Sequence, residues 1–211
     1  MKFRSIPRFL TALAGLAALA LSASVQAHPG HGEVNSFVAG FSHPLLGLDH
    51  VLAMLAVGVW AAQARSAGRV MWVAPLAAPL TFVAAMLLGA MLGLSGLSLP
   101  LVEPMIAASV LVFGLLVAAR AQKGAVVMSL IGAFALFHGI AHGAEFGAAA
   151  DASVAGWMLG FTLATVLLHA AGIAIALGLD SGLRGDALKS RMTGIPVALA
   201  GAVLMFQTLP A

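Results

Sequence analysis

The chain has 211 residues, 62% of them hydrophobic and only 8% charged, with a mean hydropathy of +1.07. Soluble domains carry roughly 25% charged residues, so a wholly water-facing exterior is excluded and most of the outer surface must meet lipid. The formal charge of +3 does not signal nucleic acid: of 10 Lys+Arg, Lys2, Arg4 and Arg8 precede an apolar run, and the 7 that remain balance 7 Asp+Glu.

Residues 1–27 read as a cleaved signal peptide: a basic start, an apolar stretch from Leu10 to Leu21, and Val25-Gln26-Ala27 as the cleavage pattern. The competing reading is an uncleaved first helix, but about 12 apolar residues fall short of the ~20 that a span needs. Residues 28–43 then form a periplasmic N-terminal segment beginning His28-Pro29-Gly30-His31, and residues 44–211 a membrane domain.

That domain is predicted to be all-α, with six transmembrane helices over 44–63, 70–91, 99–119, 125–146, 154–178 and 194–209. Helices are required because a lone span in lipid must satisfy its own backbone hydrogen bonds. Arg65 and Arg69, Arg120 and Lys123, and Arg184, Lys189 and Arg191 flank alternate loops, whereas 92–98 and 147–153 hold no Lys or Arg. The positive-inside rule makes the basic side cytoplasmic and leaves both mature termini periplasmic. Prolines sit at or near span starts, with Pro75 and Pro79 candidates to kink the second span. Gly89 and Gly93, and Gly139, Gly143 and Gly147, form small-residue ridges suited to close helix packing.

Ionisable groups inside a membrane are costly and call for a function. The first span opens with His43, Asp49 and His50, and the fourth closes with His138, His142 and Glu145. On a helix His43 and His50 share a face, and His138, His142 and Glu145 form one stripe. The alternating topology brings both groups to the periplasmic leaflet, with Glu103 at the start of the third span. Imidazole and carboxylate without thiolate, since Cys is absent, suit divalent ions such as Ni²⁺, Co²⁺, Zn²⁺ or Cu²⁺. Secondary candidates are His28 and His31, which either capture metal or lie in a solvated terminus; Glu103, which either joins the site or snorkels to water; and His169, a deeper ligand or a helix-helix hydrogen-bonding residue. Met54, one turn below His50, is a soft donor or plain packing.

The pair His43-x5-Asp49-His50 and Phe137-His138-Gly139-x-Ala141-His142-Gly143-x-Glu145 resembles the HupE/UreJ family of nickel and cobalt permeases across the mature chain. The resemblance implies that His43, Asp49, His50, His138, His142 and Glu145 are transport residues, and that the chain is a secondary importer of Ni²⁺ or Co²⁺ rather than an enzyme. It implies no prosthetic group; the metal is the cargo and the lipid bilayer of the bacterial inner membrane the setting. No ATP-binding motif is present in the sequence. The rival reading is an intramembrane metal-dependent hydrolase, in which the same ligands hold an ion that activates water.

Overall fold

A computed structural model describes residues 36–66, 74–121, 124–147, 153–182 and 186–208, all within one unit, Asn35–Ala211. The segment 1–27 expected to be a signal peptide and the His28 and His31 positions lie outside the described residues. The apolar runs fold as seven helices among those described: α1 (Ser36–Leu46), α2 (Leu48–Ser66), α3 (Ala74–Leu94), α4 (Val102–Ala118), α5 (Gly124–Gly147), α6 (Val154–Gly182) and α7 (Asp186–Thr208). No strand occurs among the described residues.

Three helices contain stretches long and apolar enough to cross a membrane: Leu76–Leu94, Gly124–Phe146 and Val154–Leu179. The pair α1–α2 makes a fourth if taken as one bent span. The shorter α4 is also apolar. Large apolar side chains face outward, among them Met91, Leu159, Leu199 and Phe206, the last 81% exposed. Such exposure is untenable over a water-facing surface of this extent and natural in lipid, so the chain is a helical membrane protein.

The first apolar stretch departs from the sequence reading. A single helix over 44–63 was expected; instead helix begins at Ser36, stops at Leu46, and resumes at Leu48 after a bend of 79°. Helical structure therefore reaches back into the 28–43 segment. The cause is local. Pro44 lies near the end of α1 and supplies no backbone N–H. Gly47 then leaves room for the first turn of α2 to fold over it: a methyl group there would lie 2.6 Å from His50 Nδ1 and 2.8 Å from Asp49 Oδ1. Asp49 also places a carboxylate in the first turn of α2, where the helix dipole favours it.

Elsewhere several helices extend beyond the predicted apolar runs. The last begins at Asp186 rather than 194, because Asp186, Lys189 and Arg191 form polar helical turns that an apolar window does not register. Pro75 falls in the first turn of α3 and Pro79 inside it, yet α3 runs unbroken to Leu94.

The helices pack chiefly as α3 on α5, α4 on α7, and α6 on both α1 and α2. Small residues make these contacts possible. A methyl group on Gly89 would strike the carbonyl of Leu136, and one on Gly139 that of Met86. The α2–α6 crossing repeats the device, with Gly58 under the carbonyl of His169 and Gly172 under that of Leu55. Backbone proximity of this kind supplies the van der Waals contact that holds helices together when lipid removes the hydrophobic drive. At the opposite end of α2, Trp60 donates its indole N–H to the carbonyl of Ala121 at 3.0 Å, and Gln63 donates to Ser190 Oγ at 3.1 Å.

Candidate metal centre

The bend at Gly47 assembles the centre. His43, near the end of α1, and His50, in the first turn of α2, do not lie on one face of one helix as their spacing suggested. The bend turns them toward each other, with ring centroids 5.9 Å apart. His142 of α5 enters between them. Its Nδ1 is 3.0 Å from His43 Nε2, and its Nε2 meets His50 Nε2 in a close contact. One ligand nitrogen from each of the three rings lies within 4.8 Å of the other two. Nitrogens held about 2.0–2.1 Å from a shared ion sit within roughly 4 Å of one another, so only small side-chain movements separate this triad from a coordination shell.

Two carboxylates and a fourth imidazole complete the surroundings. Asp49 Oδ1 accepts hydrogen bonds from His50 Nδ1–H at 2.6 Å and from the His50 backbone N–H at 2.8 Å. A carboxylate only accepts, so His50 Nδ1 carries a proton, and in the neutral imidazole Nε2 then offers its lone pair toward His142. Carboxylate–histidine pairs of this kind fix the tautomer and orientation of metal-ligating imidazoles. Glu145 Oε2 lies 3.5 Å from His142 Nδ1 and 4.0 Å from His43 Nε2, with its side chain 68% exposed at the mouth. His138, one turn along α5, is fully buried and its ring lies 5.2 Å from that of His50. Its Nδ1–H donates to the Phe134 carbonyl at 2.9 Å, which leaves the Nε2 lone pair bare and without a hydrogen-bond partner.

All six residues that the two sequence motifs supply thus share one neighbourhood. Glu103, at the start of α4, is within electrostatic reach of Asp49, His50 and Glu145 and adds negative charge at the rim. His169 is not part of the cluster; it lies deeper, against Phe82. Met54 is wholly buried in the apolar core.

The sequence reading missed the aromatic wall. Trp157 and Phe161 stack at 4.9 Å on α6 and present their rings to His43 at 5.8 and 6.0 Å; Phe161 also lies 5.1 Å from His142. The wall covers one side of the cluster with buried apolar surface. Their spacing of one helical turn on the fifth apolar run was the available signal, though aromatic pairs in apolar helices are common packing.

The fold and site together define a helical membrane protein with a buried His cluster flanked by carboxylates, a donor set able to hold a divalent transition-metal ion. Residues 16–204 match the model of the family described as HupE / UreJ protein. The chain is also 43% identical over 191 residues to "Protein HupE" of Rhizobium leguminosarum bv. viciae, covering 90% of this chain and 94% of that one. It belongs to the HupE/UreJ family. No solved structure matches it.

Proposed function

We propose that the chain is a secondary transporter that imports a divalent transition metal, Ni²⁺ first and Co²⁺ second, across the bacterial inner membrane. The observation that carries this reading is the convergence of His43, His50 and His142 from three helices on one point, with Asp49 and Glu145 beside them. Membership of a family associated with nickel and cobalt transport supports it, as does the ligand chemistry: imidazole with carboxylate suits borderline ions.

In this reading the bent α1–α2 pair, α3, α4, α5, α6 and α7 provide six spans after signal cleavage at Ala27. The basic loops lie in the cytoplasm, and the cluster opens to the periplasm. A hydrated ion is attracted by Glu145 and Glu103 at the mouth, exchanges water for imidazole nitrogen, and has its charge offset by Asp49 behind His50. His28 and His31, in the N-terminal segment of the sequence, are assigned the role of first captors of the ion. No ATP is consumed. A potential of 100 mV is worth ~2.3 kcal/mol per charge, so a divalent ion gains ~4.6 kcal/mol, enough for a gradient of roughly 2,000-fold.

The test is radioactive Ni²⁺ uptake into proteoliposomes under an imposed potential. Accumulation should be potential-dependent, competed by Co²⁺, and lost in His50→Ala and His142→Ala. Normal accumulation by both variants would reject the proposal. Hydrolysis of peptide or lipid by the purified chain, abolished by a chelator, would favour the hydrolase reading instead.

A further inference from the structure

One described histidine, His169, stands outside the outer cluster. His169 is 1% exposed, and neither ring nitrogen has a hydrogen-bond partner. A neutral imidazole carries one donor and one acceptor, and leaving both unmet in a buried site is unfavourable. Packing alone does not explain the residue, because its neighbour Phe82 is apolar and a phenyl ring would fill similar space without the loss. Intramembrane ionisable side chains of this sort mark ion pathways.

Its position relates it to the cluster. On α6, Phe161 marks the level of His142; His169 lies two turns further, about 12 Å by helical rise. On α5, His138 lies one turn from His142 in the same sense, away from the mouth. The Phe82 ring touches both: 5.6 Å from His138 and 5.1 Å from His169 by ring centroids. One turn along the same helices, Thr165 Oγ1 contacts Met86 Sδ at 3.8 Å, so α3 and α6 are closed against each other above His169. Two buried imidazoles with unpartnered nitrogens therefore flank one phenyl ring: His138 on the side of the cluster and His169 beyond it.

We propose that His169 is an inner station for the transported divalent cation, which reaches it from the outer cluster through His138 and past the side chain of Phe82. This rests on the transport reading above. The ion leaves the outer triad by exchanging His142 or His50 nitrogen for His138 Nε2. Rotation of the Phe82 ring then opens the way to His169, whose lone pair takes over as the outer ligands let go. Each station replaces one nitrogen donor by another.

The test uses the full chain in proteoliposomes with Ni²⁺ alone as probe, and equilibrium dialysis of the same preparations in detergent. His169→Phe keeps the ring shape and removes the donor; His169→Met keeps a soft donor. The expected result is a fall of tenfold or more in uptake for His169→Phe, with Ni²⁺ affinity at the outer cluster changed less than threefold, and recovery of at least part of the uptake in His169→Met. Uptake at the unaltered rate by His169→Phe would overturn the proposal. So would loss of outer-cluster binding in both variants, or no recovery with Met, since either assigns His169 to packing. If the unaltered chain itself fails to accumulate Ni²⁺, the transport reading fails instead.

Discussion

Asp49→Asn isolates what the carboxylate behind His50 contributes. The substitution keeps the side chain's shape and an oxygen able to accept from His50 Nδ1–H, but removes the charge. In the native protein that oxygen accepts at 2.6 and 2.8 Å from the same residue. Charge-assisted hydrogen bonds contribute about 1.5–3 kcal/mol against about 0.5–1.5 for neutral ones. The loss is therefore about 1–1.5 kcal/mol, with a further loss because nothing now offsets the cation's charge behind the imidazole. Outer-shell partners of metal ligands change affinity by about 10–100-fold, or roughly 1.4–2.7 kcal/mol, which brackets the same range. Isothermal titration of the detergent-purified chain with Ni²⁺ should show Kd raised about tenfold to a hundredfold, while stability without metal should fall by no more than the ~1–1.5 kcal/mol of the weakened hydrogen bonds. A folded Asp49→Asn protein whose Kd lies within twofold of the native value would refute the argument that this carboxylate orients His50 for a metal.

Gly47→Ala should weaken Ni²⁺ binding by at least about tenfold, because the added carbon falls 2.6 Å from His50 Nδ1; unchanged titration would mean that the bend adjusts without moving the ligands. Glu145→Gln should cost less than Asp49→Asn, since that side chain is 68% exposed and its charge is screened by salt; the check is whether its effect on the Ni²⁺ association rate shrinks at high ionic strength. Gly139→Val should separate α3 from α5 by placing carbon atoms against the Met86 carbonyl, lowering stability by about 1–3 kcal/mol, read as a reduced unfolding temperature in detergent. Trp60→Phe, which forfeits the hydrogen bond to Ala121, should lower stability by only about 0.5–1.5 kcal/mol and leave Ni²⁺ affinity intact.

How much of this was legible in the sequence depends on which interactions decide each feature. Apolar runs located α3, α5 and α6 closely because burial in lipid leaves a helix no competitor. The residues of the cluster were legible because charges and imidazoles stand out in an apolar background. Their arrangement was legible only in part. A spacing of seven between His43 and His50 looks like one helical face, and the pair does meet, but across a bend. Pro44 and Gly47 were the local signs of that bend, and their effect depends on Asp49 and His50 folding back over Gly47, a tertiary event. The start of α1 was hidden because Ser36–Ser42 does not extend the apolar run far enough to look like a span. Trp157, Phe161 and Phe82 were invisible as site residues: within apolar helices, aromatic side chains that face a histidine cluster have the same sequence signature as those that face a neighbour. His169 stood out in sequence as a lone histidine; its relation to His138 through Phe82 required the packing of α3, α5 and α6.

X-ray absorption at the nickel edge on the Ni²⁺-loaded, purified chain addresses the central claim most directly. The account expects a first shell of nitrogen and oxygen near 2 Å with the outer-shell scattering of three or more imidazoles, diminished by at least one imidazole in His142→Ala. A spectrum dominated by water or carboxylate oxygen, or one that His142→Ala leaves unchanged, would contradict it.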